Sequence, residues 1–238
     1  MSLLSVRIEE AGYELDKKMI QDIRFQLDRG ELVGIIGANG AGKSTTIKSI
    51  LGLMPFINGK IEKQENLTVS YLPEHPVFYD ELTLQEHIDF VAAVEGISDE
   101  QLSARTLPLL EKFNLKEHVH EVPGTYSKGM RQKAMIILAL MKSPDILIVD
   151  EPFIGLDPVA TKLLLDLINE ERQRGTGILM STHVLDTAEK ICNRFLLIDN
   201  GCLTAQGTLL ELQEQCGGTA NHSLLDCFHH LTVGEGDE

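Results

Sequence analysis

The sequence predicts an α/β fold, a parallel-stranded core interrupted by a helical insertion. Three observations predict it. A short apolar run at residues 31–36 leads into the loop Gly37-Ala38-Asn39-Gly40-Ala41-Gly42-Lys43-Ser44-Thr45 and on into an apolar-periodic stretch, residues 44–54. A second apolar run, residues 145–150, ends in acid, as a strand buried in a parallel sheet does. Between the two, from Glu74 to about Leu140, helical patterns dominate.

The elements follow in order. Residues 3–9 alternate as a strand, and Gly12-Tyr13 reads as a turn. Residues 20–27 form a second strand, and Asp28-Arg29-Gly30 turns the chain into the strand that feeds the glycine loop. The helix over 44–54 stops before Pro55. Asn58-Gly59 signals a hairpin between short strands. Residues 69–72 are a strand ended by Pro73, and the insertion holds helices at 84–94, 100–113 (kinked by Pro108) and 129–141. The core then resumes with strand 145–150, helix 158–174, strand 177–181, helix 184–193 and strand 195–199, where Asn200-Gly201 makes another hairpin turn. In the tail, Leu224, Leu225, Phe228 and Leu231 have helical spacing, which predicts a short packed helix before a frayed acidic end.

With 238 residues the chain can bury a substantial core. Its net charge of −15 excludes a general electrostatic grip on nucleic acid or anionic lipid. Residues 1–10 lack a basic stretch followed by an apolar core, so no secretory signal is expected. The longest apolar run, 134–141, is too short to span a bilayer, and any membrane role must pass through another chain. The cysteines at 192, 202, 216 and 227 lack zinc-ligand spacing and read as reduced thiols of a cytoplasmic protein. His118, His120, His229 and His230 lack a ligand set and read as surface residues.

The chemistry begins at residues 37–45. The loop fits the phosphate-binding pattern of Gly, four residues, then Gly-Lys-Ser/Thr. Glycines let backbone N–H groups approach the phosphates, and the following helix N-terminus aims partial positive charge at the same anion. Lys43 is suited to reach the β- and γ-phosphates and the Ser44 hydroxyl to ligate Mg²⁺. Asp150 and Glu151 close the second buried strand. Neighbouring strand side chains point to opposite faces, so the two acids divide the work: Asp150 toward Mg²⁺, Glu151 toward a water in line with the γ-phosphate. His183 ends a third strand, where ligands bind in open α/β sheets. Ser127 is placed to cap the helix that opens at Gly129, a second helix N-terminus able to receive an anion. One nucleotide cannot easily touch two such termini from distant parts of one chain.

With these residues in order, the sequence resembles the nucleotide-binding subunits of ABC transporters. Five motifs over residues 3 to about 213 carry the resemblance: the phosphate loop 37–45, the signature Tyr126-Ser127-Lys128-Gly129-Met130, the acidic strand 146–151, the loop Gly155-Leu156-Asp157-Pro158 and the switch residue His183. The resemblance implies a phosphate-loop NTPase core of the ABC ATPase type, with an antiparallel β subdomain and a helical insertion. It implies one ATPase domain over 1–215, with core 1–74 and 141–215 and insertion about 75–140, followed by the tail 216–238. The implied activity is ATP hydrolysis coupled to transport, with ATP and Mg²⁺ bound. Tyr13 falls where the family stacks an aromatic ring on adenine. Two subunits associate head to tail, so that Ser127 and Gly129 of one close over the ATP held by Lys43 of the other, with Asp157 at the interface. The implied partners are an integral membrane transporter subunit on a separate chain and either a second copy or a related ATPase subunit. The chain would then sit on the cytoplasmic face of the membrane through that partner, with no nucleic acid involved.

Two residues depart from the commoner family pattern. The signature is Tyr-Ser-Lys-Gly-Met in place of Leu-Ser-Gly-Gly-Gln. Glu74 stands where the family usually has a glutamine touching Mg²⁺ or the attacking water; it keeps acceptor oxygens for metal but loses the amide donor and adds a charge. Both features are similar to the drug- and polymer-export (ABC-2-like) branch, and within it to the ATPase subunits of Ecs-type transporters of Gram-positive bacteria, which implies an exporter. The other readings are a soluble mechanical ATPase of the same type and a regulatory module outside transport. A single cassette, no heptad insertion and the acidic balance weigh against the first, and intact Lys43, Asp150, Glu151 and His183 against the second. Pro76-Val77-Phe78-Tyr79, just after Glu74, is either a candidate docking surface for the membrane partner or a segment whose Phe78 and Tyr79 fill the insertion's own core.

Overall fold

The strand that feeds the phosphate loop lies inside a nine-stranded sheet. The computed structural model describes residues 2–14, 17–217 and 222–233. Strand β3 (Leu32–Ile36) is buried along its whole length and pairs in parallel with β7 (Gly177–Thr182) and β8 (Arg194–Asp199). Beyond β7 lie β6 (Ile146–Asp150) and β5 (Val69–Leu72), also parallel. Beyond β8 the sheet changes character: β9 (Cys202–Gly207) is antiparallel to β8, β2 (Lys17–Asp28) meets β9 in a short parallel contact, and β1 (Ser2–Glu14) and β4 (Phe56–Lys63) follow with antiparallel pairing. The full order is β4-β1-β2-β9-β8-β3-β7-β6-β5.

The two-residue period of β6 shows how the layers form. Ile146 and Ile148 pack with Ile47 and Ile50 of α1 (Lys43–Ile50) and with Ile8, Ile23 and Ile35. Leu147 and Val149 face the opposite layer, where Leu164, Leu167 and Ile168 of α5 (Pro158–Gln173) and the insertion helices α2 (Leu84–Glu95), α3 (Asp99–Lys112) and α4 (Lys128–Leu140) cover the sheet. Helices α6 (Leu185–Ile191), α7 (Leu209–Gln215) and α8 (Leu224–Val233) close a third cluster, in which Leu212, Leu224 and Cys227 pack with Phe195 and Leu197. Among the described residues, no helix is long and apolar enough to cross a membrane.

Several expectations need correction. Gly12-Tyr13 is not a turn: β1 continues to Glu14, and Gly12 pairs with both Phe56 and Lys18. Asn58-Gly59 is not a hairpin turn but the middle of β4, opposite a register shift between Ile8 and Glu10. Glycine is needed there for close approach, since a Cβ at Gly59 would sit 2.2 Å from the Arg7 carbonyl oxygen. Helix α1 ends at Ile50, not Met54, because Gly52 turns left-handed at φ +73°. Pro108 lies inside α3 without ending it. Strand β9 and helix α7 are additions; α7 begins with a reciprocal cap between Thr208 and Glu211. The Asn200-Gly201 hairpin turn is present, with both residues at positive φ. The packed tail helix is present as α8, whereas the acidic end after Val233 lies outside the described residues.

Candidate active site

The phosphate loop is built by close approach. A Cβ at Gly37 would lie 2.4 Å from the Ile198 carbonyl oxygen, so β8 presses the loop from beneath. Gly42 precedes α1 at φ +111°, a conformation that glycine adopts without cost. The Lys43 ammonium folds back over the loop, donating to the carbonyl oxygens of Gly37 at 2.8 Å and Ala38 at 3.2 Å. Thr46 and Ser49 bond back to the Gly42 and Thr45 carbonyls and fix the first turns of the helix.

A cavity of about 350 Å³ opens over this loop. Asn39, Gly40, Gly42, Lys43, Ser44 and Thr45 line one side, and Glu74, Glu151 and His183 the other. Ser44 is half-buried and lines this cavity. Glu151 sits immediately after β6 at φ +47°, a conformation uncommon outside glycine, and this backbone turn carries its side chain to the same cavity. Its carboxylate is over nine-tenths buried. Oε2 accepts from His183 Nδ1 at 2.9 Å and, more weakly, from the His183 backbone N–H at 3.4 Å. Oε1 faces Lys43 Nζ at 3.5 Å, beyond good hydrogen-bond length, and no donor satisfies it among the described residues. Since a carboxylate can only accept, the His183 proton on this bond is on Nδ1.

Asp150 lies behind the cavity at 2% exposure. The Ser181 hydroxyl donates to Asp150 Oδ1 and accepts the Glu151 backbone N–H at 3.1 Å, tying the two acids to β7. Ser181 was not among the sequence candidates; a hydroxyl two residues before His183, at a strand end, was the available signal. Met19, which lines the cavity from β2, had no signal at all.

The structure keeps three sequence candidates out of this cavity. Ser127 caps α4, its Oγ accepting from Met130 N at 3.2 Å, and Gly129 packs beside Gly155, where a Cβ would come within 3.2 Å of the Gly155 carbonyl. Asp157 caps α5, its Oδ1 accepting from Ala160 N at 2.8 Å, and pairs with Lys133 at 3.4 Å. None of the three lines the loop cavity of its own chain. Tyr13 also stands apart: half-exposed on β1, its hydroxyl takes a bond from Lys48 Nζ at 3.4 Å.

A second, larger cavity of about 540 Å³ lies between α2, α4 and the segment after Glu74. Its wall is apolar, and Val77, Tyr79, Phe90 and Val94 stay substantially exposed beside it. Phe78 turns inward and packs on the insertion's core, whereas Val77 at 76% and Tyr79 at 61% exposure do not. His87 anchors the segment. Its Nδ1 lies 2.8 Å from the Thr83 carbonyl, and Nε2 lies 2.9 Å from the Tyr79 backbone N–H. A carbonyl can only accept and an N–H only donate, so this imidazole is neutral with its proton on Nδ1.

A phosphate loop at the carboxyl end of a parallel sheet, faced by an acid and a histidine from two neighbouring strands, defines a nucleoside triphosphatase site. The family model described as ABC transporter matches residues 20–154, and the chain belongs to that family as an ATP-binding subunit with ATPase activity. It is 50% identical over 234 residues to the uncharacterized ABC transporter ATP-binding protein YthP of Bacillus subtilis (strain 168), covering 98% of each chain. It is 44% identical to the ABC-type transporter ATP-binding protein EcsA of the same organism, covering 98% of this chain and 97% of that one. A solved structure of an ATP-binding subunit of an ABC transporter superposes with a TM-score of 0.91 at 41% identity, covering 97% of this chain and 99% of the other.

Proposed function

We propose that this subunit powers a membrane exporter by closing a head-to-tail dimer over two ATP molecules. The observation that carries the reading is the separation of the two phosphate-binding ends within one chain. Lys43, Glu151 and His183 line one cavity, while Ser127 and Gly129 lie outside it. A second copy, or a related subunit, would bring its Ser127 and Gly129 over the triphosphate, with Asp157 beside them. The Tyr-Ser-Lys-Gly-Met signature and Glu74 support placement in the export branch.

The residues present suit ATP with Mg²⁺. Ser44, Asp150 and Glu74 offer only oxygen donors, which fits a small hard cation that also takes phosphate oxygens. When bound, Mg²⁺ neutralises charge on the β- and γ-phosphates. Tyr13 would stack on adenine, a use of an exposed aromatic ring that its position permits. The loop amides of residues 38–45 and the Lys43 ammonium hold the phosphates. Glu151 takes a proton from the attacking water as its oxygen bonds to the γ-phosphorus. The bond from that phosphorus to the β–γ bridging oxygen breaks, and ADP leaves with the electron pair. The unsatisfied Oε1 of Glu151 is the acceptor suited to this step. His183 holds the same carboxylate through Oε2.

Loss of the γ-phosphate would then let the dimer open. The partition into core 1–74 and 141–215 with insertion 75–140 and tail 216–238 follows the run of consecutive helices between β5 and β6 and the placement of α8 after α7. The exposed apolar cavity of the insertion fits a cytoplasmic helix of the membrane partner, which would hold the chain at the cytoplasmic face. The test is the Glu151→Gln variant. With ATP it is expected to hydrolyse at below about one hundredth of the wild-type rate and to sediment as a dimer. A variant that stays monomeric with ATP at high concentration and hydrolyses normally overturns the reading.

A further inference from the structure

The loop cavity is short of positive charge. Lys43 is the one lysine or arginine lining it among the described residues, against Glu74 and Glu151, with Asp150 behind. A nucleoside triphosphate with one divalent cation adds about two more negative charges. Closing such a site out of water makes each unbalanced charge more costly. A cation supplied by a second copy would add the charge that this lining lacks.

Lys128 has the properties of that cation. It is the first residue of α4, next to the capping Ser127, and the first turn of this helix holds no acid. A cation at the positive end of a helix dipole is unfavourable unless an anion joins it. Its aliphatic stem lies against Gly155, where a Cβ would meet three of its carbons at 3.1–3.3 Å. Among the described residues its ammonium makes no hydrogen bond or ion pair, while nearby Lys133 is neutralised by Asp157. The chain therefore fixes the stem and leaves the charge free.

We propose that Lys128 of one copy binds the triphosphate in the other copy's loop cavity and balances the extra charge that Glu74 brings there. This rests on the dimer reading. The two departures from the commoner family pattern, a lysine for a glycine and a glutamate for a glutamine, are opposite in sign and belong to one composite site.

The test measures ATP-driven dimerisation by sedimentation in a Glu151→Gln background. Lys128→Gly is expected to weaken the dimer roughly tenfold, the scale of one charge-assisted bond, while Lys128→Arg keeps it. Adding Glu74→Gln to Lys128→Gly is expected to recover most of the loss. Lys63→Met, which removes one exposed charge on β4, is expected to change nothing. Unchanged dimerisation in Lys128→Gly, a loss that arginine does not restore, or an equal loss in Lys63→Met overturns the proposal. Failure of Glu74→Gln to compensate overturns the pairing with Glu74. If the Glu151→Gln parent itself stays monomeric, the dimer reading is what has failed.

Discussion

Lys43 Nζ and Glu151 Oε1 lie 3.5 Å apart, both on side chains more than nine-tenths buried. Each charge is the other's counter-ion until phosphate arrives. Removing Lys43 leaves Glu151 buried with only its bonds from His183, at a cost of about 1–3 kcal/mol. Lys43→Ala is therefore expected to lower stability by about that amount and ATP affinity by roughly one to two orders of magnitude. Adding Glu151→Gln should return most of the stability and none of the affinity. Denaturant unfolding and nucleotide titration of the two single variants and the double variant check this. Additive stability losses would mean that the two charges do not feel each other.

Ser181 gives a second expectation. Its hydroxyl donates to Asp150 and accepts the Glu151 amide, so it orients two acids that meet opposite ends of the phosphate chemistry. Ser181→Ala is expected to lower hydrolysis roughly 10- to 100-fold, the scale for groups that orient ligating or reacting side chains. ATP affinity should move by less than about threefold, because Lys43 and the loop amides are untouched. Steady-state phosphate release and nucleotide binding, measured on one preparation, separate the two effects.

The contrast between Ser181 and Lys43 shows what the sequence could disclose. The phosphate loop was legible because the glycine spacing, the lysine and the flanking elements all lie within one continuous stretch. Asp150 and Glu151 were legible because an apolar run ended in acid. The link from Ser181 to Asp150 joins residues 31 apart across the β6–β7 register, which no local pattern encodes. Asn58-Gly59 misled because a dipeptide suited to a turn also suits a strand whose partner backbone approaches closely, and only the partner reveals which. The helical insertion was legible through period and caps, but its exposed cavity was not. Phe78 and Tyr79 both lie against His87, which bonds the Tyr79 amide, a tertiary contact that no local pattern encodes.

That bond carries the next expectation. Phe78 packs on the insertion core, so Phe78→Asp is expected to lower the melting temperature and cannot report on docking alone. Val77 and Tyr79 are exposed, so Val77→Asp and Tyr79→Asp should leave the melting temperature nearly unchanged. In the chain's own cells both should shift it from the membrane fraction to the soluble one. His87→Leu removes the acceptor for the Tyr79 amide and should speed hydrogen exchange at residue 79 roughly tenfold, while exchange in α4 stays slow. Equal exchange in the two proteins would show that His87 does not hold the segment.

Asp157 supplies a dependence on pH. Its carboxylate caps α5, and the Ala160 N–H, followed by Lys133, holds it below the usual aspartate range. A depressed acid contributes its full stability above the unfolded-state value, near about 4, and loses it as pH falls through the lower folded value. The difference in melting temperature between wild type and Asp157→Ala should therefore be constant above about pH 5 and shrink below about pH 4. Asp157→Asn keeps a capping oxygen without the charge, so it should melt close to wild type at neutral pH. Its margin over the alanine variant should not change with acidification, since neither side chain titrates. A wild-type margin over alanine that stays flat down to about pH 2 would show that the charge of Asp157 adds nothing to the cap. In that case its ion pair with Lys133 would have no stabilising part, and the position would be free to serve only the neighbouring subunit.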